Sequence, residues 1–184
     1  MIKGSQTFFH RVNHEIFLIT SALGEEKCGM IATWIMPGTL VEEHPRLIGV
    51  FSPENRTTQV LLARGQFVAH LLAQEQLELV PLFGLRSSKE INKFSTTAHS
   101  LNSDGIPIVY NTCGWVKCKV INKLDLGDRI VVVSDIFEGE TDSLKTPLLK
   151  EYCFSYLPPE ASFSLLEKRQ RDNIRDQKLM LHPS

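Results

Sequence analysis

The segment that decides the fold covers residues 27–58 and reads KCGMIATWIMPGTLVEEHPRLIGVFSPENRTT. An apolar, strand-like run from Lys27 to Met36 stops at Pro37-Gly38. A second run, residues 47–51, breaks into a polar turn that opens a helix. The first run carries small residues and a tryptophan, and hydrogen-bond donors cluster at the helix start. This layout suits a flat aromatic cofactor with a phosphate tail.

The composition of the chain sets broad limits on its class. A length of 184 residues predicts one domain with an ample core, and 42% hydrophobic with 22% charged residues is ordinary for a globular protein. A net charge of −1 gives no general electrostatic reason to expect binding to nucleic acid or to an anionic membrane. No apolar stretch approaches the roughly 20 residues of a membrane span. The first seven residues lack the apolar core of a signal peptide, so we expect a cytoplasmic protein.

Neither the cysteines nor the histidines form a recognisable metal motif. The chain has no Cys-x-x-Cys pair, and its cysteines lie mostly in strand-like runs: Cys28, Cys113, Cys118 and Cys153. We expect reduced core thiols rather than disulfides or zinc ligands. His10 and His14 have i,i+4 spacing, but their segment is not convincingly helical, so we expect no metal site there.

The hydrophobic pattern is mostly that of β-strands. It predicts strands over residues 15–21, 27–36, 47–51, 66–72, 113–123 and 129–138. It predicts helices over residues 57–64, 74–85 (shortened or kinked by Pro81) and 87–94, with a polar loop over 96–104.

The clearest single element is the hairpin formed by the last two predicted strands. Val116 and Cys118 alternate with Lys117 and Lys119, which predicts one apolar and one polar face. The chain shows no regular βαβ alternation and no Gly-x-Gly-x-x-Gly fingerprint, so a Rossmann sheet is disfavoured. The prediction is a mainly β fold, with an antiparallel barrel that is closed or partly closed and has helices inserted between its strands.

The composition changes near the C-terminus. We predict one domain over residues 1–150 and a polar C-terminal extension over residues 151–184. Past Pro158-Pro159 the chain is mostly charged and amide, with Ile174 as the one apolar residue between Glu167 and Lys178. The extension is predicted to be a solvated helix, a partly disordered tail or an interface arm, and we assign it no catalytic role.

Two segments are candidates for cofactor contacts. On the first strand, Gly29, Ala32 and Thr33 are small enough to let backbone amides approach a ring edge. On pattern alone, a barrel strand whose small residues fill a tight taper is the commoner explanation. At the helix start, the unpaired amides and Arg56 favour a phosphate, whereas Glu54 works against one. An ordinary capped helix with a surface arginine explains that segment too.

Two further features have less specific patterns. The run Arg86-Ser87-Ser88-Lys89 is predicted to open another helix, where its hydroxyls and cations could close over the same phosphate. A capped surface turn is the alternative. His70 lies in a strand between Ala69 and Leu71, where a satisfied core histidine is commoner than a functional one.

Taken in order, these segments resemble the flavin reductase-like family, the FMN-binding split barrels. The resemblance extends from Phe9 to Gly139 and depends on the order and spacing of several short motifs. They are Ile-Thr-Ser at 19–21, Gly-Met-x-Ala-Thr-Trp at 29–34, x-Arg-x-Thr at 55–58, Gly-x-Phe-Val at 65–68, Gln-Leu-Glu-Leu at 76–79, Phe-Gly at 83–84, Lys-Phe at 93–94 and Gly-Asp at 127–128.

The resemblance implies a homodimer with FMN, less often FAD, near the subunit interface. The residues that it implies for the isoalloxazine are Met30, Ile31, Ala32, Thr33 and Trp34. Those that it implies for the phosphate end are Ser52, Asn55, Arg56, Thr57 and Thr58, with help from Ser87, Ser88 and Lys93. Family reductases often have a histidine after the Gly-Asp turn, and here the position is Arg129. Arg129 and His70 are the candidate contacts to a nicotinamide substrate.

Three functions are compatible with this pattern. The first is an NAD(P)H-dependent flavin reductase, in which the cofactor supplies the chemistry and reduced flavin leaves for a partner such as a monooxygenase. The second is a non-catalytic FMN protein that carries electrons, which Arg129 favours modestly. The third is a split-barrel interaction protein that has lost flavin, favoured only by Glu54.

Overall fold

The computed structural model describes residue 4, residues 8–9, residues 11–88 and residues 90–181. Within them the strands are β1 (Phe17–Leu23), β2 (Glu26–Ala32), β3 (Ile35–Pro37), β4 (Arg46–Phe51), β5 (Gln66–Leu71), β6 (His99–Leu101), β7 (Pro107–Val109), β8 (Gly114–Asp125) and β9 (Ile130–Thr141). The helices are α1 (Arg56–Arg64), α2 (Leu79–Leu85), α3 (Lys150–Tyr156) and α4 (Pro159–Leu181), with 3₁₀ turns at Gln74–Gln76 and Lys93–Ser95.

A two-residue connection forces the main sheet to curl. The seven strands are ordered β2-β1-β5-β8-β9-β4-β3, so the consecutive strands β2 and β3 lie at opposite edges. A flat seven-stranded sheet would separate these edges by about 29 Å. Thr33 and Trp34 connect them, and two residues reach at most about 11 Å between the flanking Cα atoms. The sheet therefore curls into a barrel that stays split between β2 and β3, which confirms the predicted fold class.

The same connection corrects the strand predicted over residues 27–36. The apolar run is continuous in sequence, but it supplies two strands that pair with different partners. Residues 26–32 pair with β1, whereas Ile35 pairs with Gly49 of β4. Hydrophobic periodicity does not register the break, because Thr33 and Trp34 fit a strand as well as a connection.

The predicted hairpin is confirmed as β8 and β9, and Val116 and Cys118 pack together in the core within the curled sheet, but the burial of Lys117 on the polar face was not predicted. The pairing of β8 with β9 shifts its register between Lys117 and Cys118. Lys117 is 4% exposed, and its Nζ lies 2.5 Å from Asp104 Oδ2 and 3.5 Å from Glu138 Oε2. The two carboxylates compensate for the burial of the ammonium, which the sequence pattern does not reveal.

Two further predictions were wrong, whereas the helix predicted over residues 57–64 was confirmed as α1. The described part of residues 87–92 forms turns instead of a helix, and only Lys93–Ser95 is helical, as a 3₁₀ turn. The loop predicted over residues 96–104 contains β6, which pairs with β7. The helix predicted over residues 74–85 divides into a 3₁₀ turn and α2. Pro81 is accommodated because it lies in the first turn of α2, where no intrahelical N–H bond is lost.

Two large apolar clusters fill most of the described part of the molecule. One lies within the curled sheet and includes Ile19, Phe67 and Val132, with Leu61 of α1 packed against it. The other lies between the outer surface of the sheet and the helices α2 and α3, where Phe83 and Leu148 are buried. All four cysteines are free and buried, as the sequence predicted.

The C-terminal extension is helical, and α4 packs along the rest of the chain. Near its start, Leu165 Cδ2 is 3.2 Å from the position that a Cβ on Gly84 would occupy. Near its end, the Leu179 carbonyl oxygen is 3.1 Å from the position that a Cβ on Gly127 would occupy, and Gly127 lies in the hairpin turn with a φ of +86°. The described residues contain no helix that is long and apolar enough to span a membrane.

His70 lies in the core with both ring nitrogens bonded. It is fully buried, its Nδ1 is 2.9 Å from the Leu18 carbonyl oxygen, and its Nε2 accepts from the Val109 amide at 3.0 Å. This pattern requires a neutral ring protonated on Nδ1. Burial lowers the pKa of His70 to about 4, although the contact with Leu18 opposes that shift.

We therefore predict that the protein loses stability on acidification below pH 6.5. The unfolded chain binds a proton at His70 near its ordinary pKa, whereas the folded chain does so only near pH 4. The free energy of unfolding should fall by about 2 kcal/mol between pH 7 and pH 5 from this residue alone. Urea titrations at both pH values, followed by circular dichroism, measure the loss.

The variant His70→Gln should remove this part of the pH dependence, because it has no group that titrates in the range. The exposed His44 provides the matched control, and His44→Gln should retain the wild-type pH dependence. Equal pH dependence in the wild type and His70→Gln would contradict the assignment.

Candidate functional site

Side chains from the segment after α2 contact the backbone at the outer edge of β2. Ser88 Oγ lies 3.5 Å from the Gly29 nitrogen, and Lys93 Nζ donates to the Gly29 carbonyl oxygen at 3.0 Å. Both backbone groups of Gly29 therefore point away from β1. Because these groups alternate in direction along a strand, the N–H and C=O of Ile31 also point outward, whereas those of Ala32 face β1. The groups of Ile31 can pair with the polar rim of a planar ring.

The missing side chain of Gly29 leaves no space for a ligand. A Cβ at this position would lie 2.8 Å from Cε1 of Phe83, because the phenyl ring from α2 packs directly on the glycine. The absence of a side chain therefore serves packing. The open part of the strand edge begins at Ile31 and continues to Trp34, whose side chain is 47% exposed.

Lys93 is buried beside this edge. It is only 3% exposed, and its Nζ also lies 3.4 Å from the Phe83 carbonyl oxygen and 5.3 Å from the centre of the Phe83 ring. Burial lowers the pKa of the Lys93 ammonium to about 8. The group is thus mostly charged at neutral pH, and a nearby anion would stabilise that charge.

The donors at the start of α1 divide into two groups. The hydroxyls of Thr57 and Thr58 are buried against β2, where Thr58 Oγ1 donates to Met30 Sδ at 3.6 Å and Thr57 contacts the thiol of Cys28. Asn55 occupies the N-cap position, but its side chain makes no capping hydrogen bond. The helix start therefore offers a partly exposed amide side chain that makes no capping bond, together with backbone N–H groups, rather than its two threonine hydroxyls.

Arg56 is engaged by a carboxylate at the start of β2. Its Nε donates to Glu26 Oε1 at 2.7 Å, its Nη2 pairs with Glu26 Oε2, and its Nη1 lies 3.4 Å from Gln59 Oε1. The hydrogen bonds with Glu26 raise the pKa of the guanidinium. An anion at this helix start must share Arg56 with Glu26 or displace it.

A second arginine lies beside Trp34. The Cζ atom of Arg129 is 5.7 Å from the centre of the indole ring. Arg129 Nη1 lies 2.6 Å from Asp176 Oδ2 and 2.6 Å from the Asp128 carbonyl oxygen. Burial by itself raises the pKa of Asp176, but the hydrogen bonds from Arg129 and Arg175 outweigh this effect and hold the pKa below its usual range.

The helix α4 connects this arginine to the start of α1. Arg175 Nη2 donates to Ser52 Oγ at 3.4 Å, and Arg175 Nε donates to Asp176 Oδ1 at 2.8 Å. The helix therefore crosses from the hairpin turn at Arg129 to the end of β4. The C-terminal extension, to which we assigned no catalytic role from the sequence, forms one wall of the candidate site.

The structure brings most of the predicted site residues into one connected region. The edge of β2 contacts the start of α1 through Met30. It contacts the segment after α2 through Ser88 and Lys93. Trp34 contacts Arg129. His70 lies elsewhere, enclosed in the core, so we leave it out of the site. Lys89 and His10 lie outside the described residues. Within the described residues, no group of three or more His, Cys, Asp or Glu side chains is arranged to hold a metal ion.

Sequence reasoning missed three residues of this region: Glu26, Arg175 and Asp176. A signal for Asp176 was present in the spacing of α4. Leu165, Asp172, Asp176 and Leu179 recur at intervals of three, four and seven, so they share one helical face. A face that includes two leucines was a candidate for docking, and Asp176 belongs to it.

An antiparallel barrel that is open at one strand edge, with cations beside the opening, defines a split barrel suited to a planar anionic ligand. The model of the flavin reductase like domain matches residues 9–153. The chain therefore belongs to the flavin reductase-like family, as its motifs indicated.

Relatives and solved structures agree with this family. A ferric-chelate reductase (NAD(P)H) from Archaeoglobus fulgidus is 25% identical over 134 residues, which are 72% of this chain and 78% of the relative. A flavin reductase from Pseudomonas putida is 27% identical over 112 residues, or 60% of this chain and 64% of the relative. The structure of nitrilotriacetate monooxygenase component B from Mycobacterium thermoresistibile has a TM-score of 0.69 at 21% identity, covering 78% of this chain and 81% of that one.

Proposed function

We propose that this chain is an NAD(P)H-dependent flavin reductase that binds FMN at the split between β2 and β3. The observation that carries the proposal is the outward edge of β2 at Ile31, which continues to the exposed Trp34 and has Arg56, Lys93 and Arg129 around it. A planar ring with a polar rim and an anionic tail fits this combination. The names of the two relatives, a flavin reductase and a ferric-chelate reductase, support the same reaction class.

In the proposed complex, Met30, Ile31, Ala32, Thr33 and Trp34 flank the ring. The N–H of Ile31 would donate to the pyrimidine side and stabilise the negative charge of the reduced ring. Trp34 would cover part of the ring and exclude water from it.

The phosphate would lie at the start of α1. The backbone amides of Thr57 and Thr58 suit an anion there, because their hydroxyls face β2 while the N–H groups of a first helical turn lack intrahelical partners. Asn55 and Arg56 would add side-chain donors, with Ser52 at the end of β4. Ser87, Ser88 and Lys93 would approach from the other side of β2.

Bound flavin would supply the redox chemistry, by accepting hydride from the nicotinamide and passing the electrons on. The chain needs no nucleophile or general acid for this reaction. Its task would be to hold the two rings within roughly 3–3.5 Å of each other, and Arg129 would bind the nicotinamide nucleotide.

We propose that the protein works as a homodimer. Apolar side chains next to the site are exposed, including Trp34, Met36 and Leu40, the last completely. They adjoin an apolar cavity of about 670 Å³ between β3 and the 39–45 segment. A second copy would cover this surface and close the flavin site. The similarity to a monooxygenase component supports a further partner that consumes reduced flavin.

The function is tested directly by anaerobic reduction. The purified protein with FMN should show flavin absorbance that bleaches on addition of NADH or NADPH. Arg129→Ala should raise the KM for the nicotinamide more than it weakens FMN binding, because the arginine contacts the nucleotide. The exposed Arg171 on α4 gives the matched control, and Arg171→Ala should behave as the wild type. FMN that stays oxidised with both nicotinamides would contradict the reductase and indicate an electron carrier.

The phosphate position is tested by comparing FMN with riboflavin. Arg56→Ala should weaken FMN by about tenfold or more and leave riboflavin nearly unchanged, because only FMN carries the phosphate. Arg64, at the other end of the same helix and paired with Asp104, is the control. Arg64→Ala should affect neither ligand, and equal weakening of both ligands by Arg56→Ala would place the phosphate elsewhere.

The pKa of Lys93 predicts a pH dependence for the same pair of ligands. The free protein loses the Lys93 charge above about pH 8, whereas a bound phosphate would retain it. The affinity for FMN relative to riboflavin should therefore fall about tenfold between pH 7 and pH 9. Lys93→Met should abolish the trend and Lys123→Met, on an exposed part of β8, should preserve it. A ratio that is constant with pH in the wild type would exclude Lys93 from the phosphate site.

A further inference from the structure

The inner face of α4 is charged in its middle, where it passes the site. The positions that the helix turns toward the protein are apolar at both ends, with Leu165 and Leu179, but carry Lys168, Asp172 and Asp176 between them. A helix that docks on a protein body ordinarily presents an apolar stripe along its length. The charged residues on this face therefore indicate that the centre of the contact has a role other than apolar packing.

Asp176 is the most enclosed of these residues. It is 5% exposed, and each of its oxygens receives a different arginine. Oδ2 accepts from Arg129 Nη1 at 2.6 Å, and Oδ1 accepts from Arg175 Nε at 2.8 Å and lies 2.7 Å from Arg175 Nη2. One carboxylate thus fixes the separation of two guanidinium groups that come from different elements.

The two arginines face residues of the proposed flavin site. Arg129 lies beside the ring of Trp34, and Arg175 donates to Ser52. The carboxylate and carbonyl contacts of Arg129 all use Nη1. Among the hydrogen bonds of the described residues, none uses its Nε or Nη2. The guanidinium is therefore oriented by one nitrogen and has a planar pair of donors available for oxygen atoms of a ligand.

We propose that Asp176 is a positioning residue that orients Arg129 to bind the phosphate oxygens of the nicotinamide nucleotide. The inference rests on the proposed function, since it concerns the substrate of that same site. Asp176 lies outside the segment that matches the family, so this role belongs to the C-terminal helix of this chain. Arginine loses rotamer freedom when it binds a ligand, and a side chain already fixed by Asp176 has less freedom to lose.

The test compares Asp176→Asn with Glu167→Gln in the full-length protein. Glu167 lies on the same helix, is exposed, and makes only a 3.9 Å contact with Arg171 among the ion pairs of the described residues. With saturating FMN, Asp176→Asn should raise the KM for NADH about tenfold, by analogy with the loss of a charge-assisted hydrogen bond. The kcat and the dissociation constant for FMN should stay within about twofold of the wild type. Glu167→Gln should change none of these quantities.

A double-mutant cycle distinguishes positioning from a purely structural role. If Asp176 acts through Arg129, Asp176→Asn should have no further effect on the KM in the Arg129→Ala background. A structural role would instead give additive effects and a lower unfolding temperature. Should Asp176→Asn fail to fold, Arg129→Lys provides the second variant, because lysine keeps the charge but lacks the planar fork. It should raise the KM for NADH to a similar extent.

The outcomes separate this inference from the proposed function. An unchanged or lower KM in Asp176→Asn, with normal NADH oxidation by the wild type, overturns the positioning role and leaves the reductase assignment intact. A lower KM would mean that Asp176 competes with the substrate for Arg129. Wild-type protein that binds FMN but neither oxidises NADH nor binds NAD⁺ in a calorimetric titration overturns both proposals.

Discussion

The rest of the structure depends on the short connection formed by Thr33 and Trp34. It joins two strands at opposite edges of a seven-stranded sheet, so the sheet has to curl until those edges come close. The two edges do not pair with each other, and the chain between them is too short to cover the gap. The same constraint that makes the barrel therefore leaves an opening, with the backbone groups of Ile31 and the ring of Trp34 at its margin. Fold and site have one physical origin.

The charges around the opening are paired within the protein. Arg56 pairs with Glu26 and Arg129 pairs with Asp176, so each arginine already has an anionic partner within the protein. An ion pair of this kind lowers the affinity for a ligand that must break it. It raises the specificity for a ligand that can bind the remaining N–H donors of the arginine. Arginine suits the second case, because its five N–H groups allow it to keep its bond to one carboxylate and to donate to oxygen atoms of a ligand as well. Lys93 differs, since backbone carbonyl oxygens surround its ammonium and burial lowers its pKa.

Much of the fold was predictable from the sequence, and the failures have physical causes. Alternating and apolar runs predicted the strands of the sheet, and turn residues predicted the β8–β9 hairpin. The break at Thr33 was not predictable, because it depends on which strands pair and not on local preference. The burial of Lys117 depends on Asp104 and Glu138, which lie apart from it in sequence. The helix predicted over residues 87–94 had a plausible start, but it lacks an apolar stripe, and tertiary contacts of Ser88 and Lys93 with Gly29 fix another conformation.

Site residues were predictable where they belong to a local sequence motif. They were not predictable where their partners lie far away in the sequence. The helix start at Asn55 and Arg56 follows directly from its sequence. The family resemblance indicated Arg129 and Trp34 as candidates, but it did not indicate the partner of Arg129, because Asp176 lies 47 positions away in the sequence. A polar C-terminal segment with few apolar residues is predicted to be solvated, yet α4 contacts the rest of the protein at Leu165 and Leu179 near its ends and at Asp176 between them. Because Leu165 and Leu179 contact the rest of the protein near either end of α4, the helix has contacts there that do not depend on the ion pair between Asp176 and Arg129.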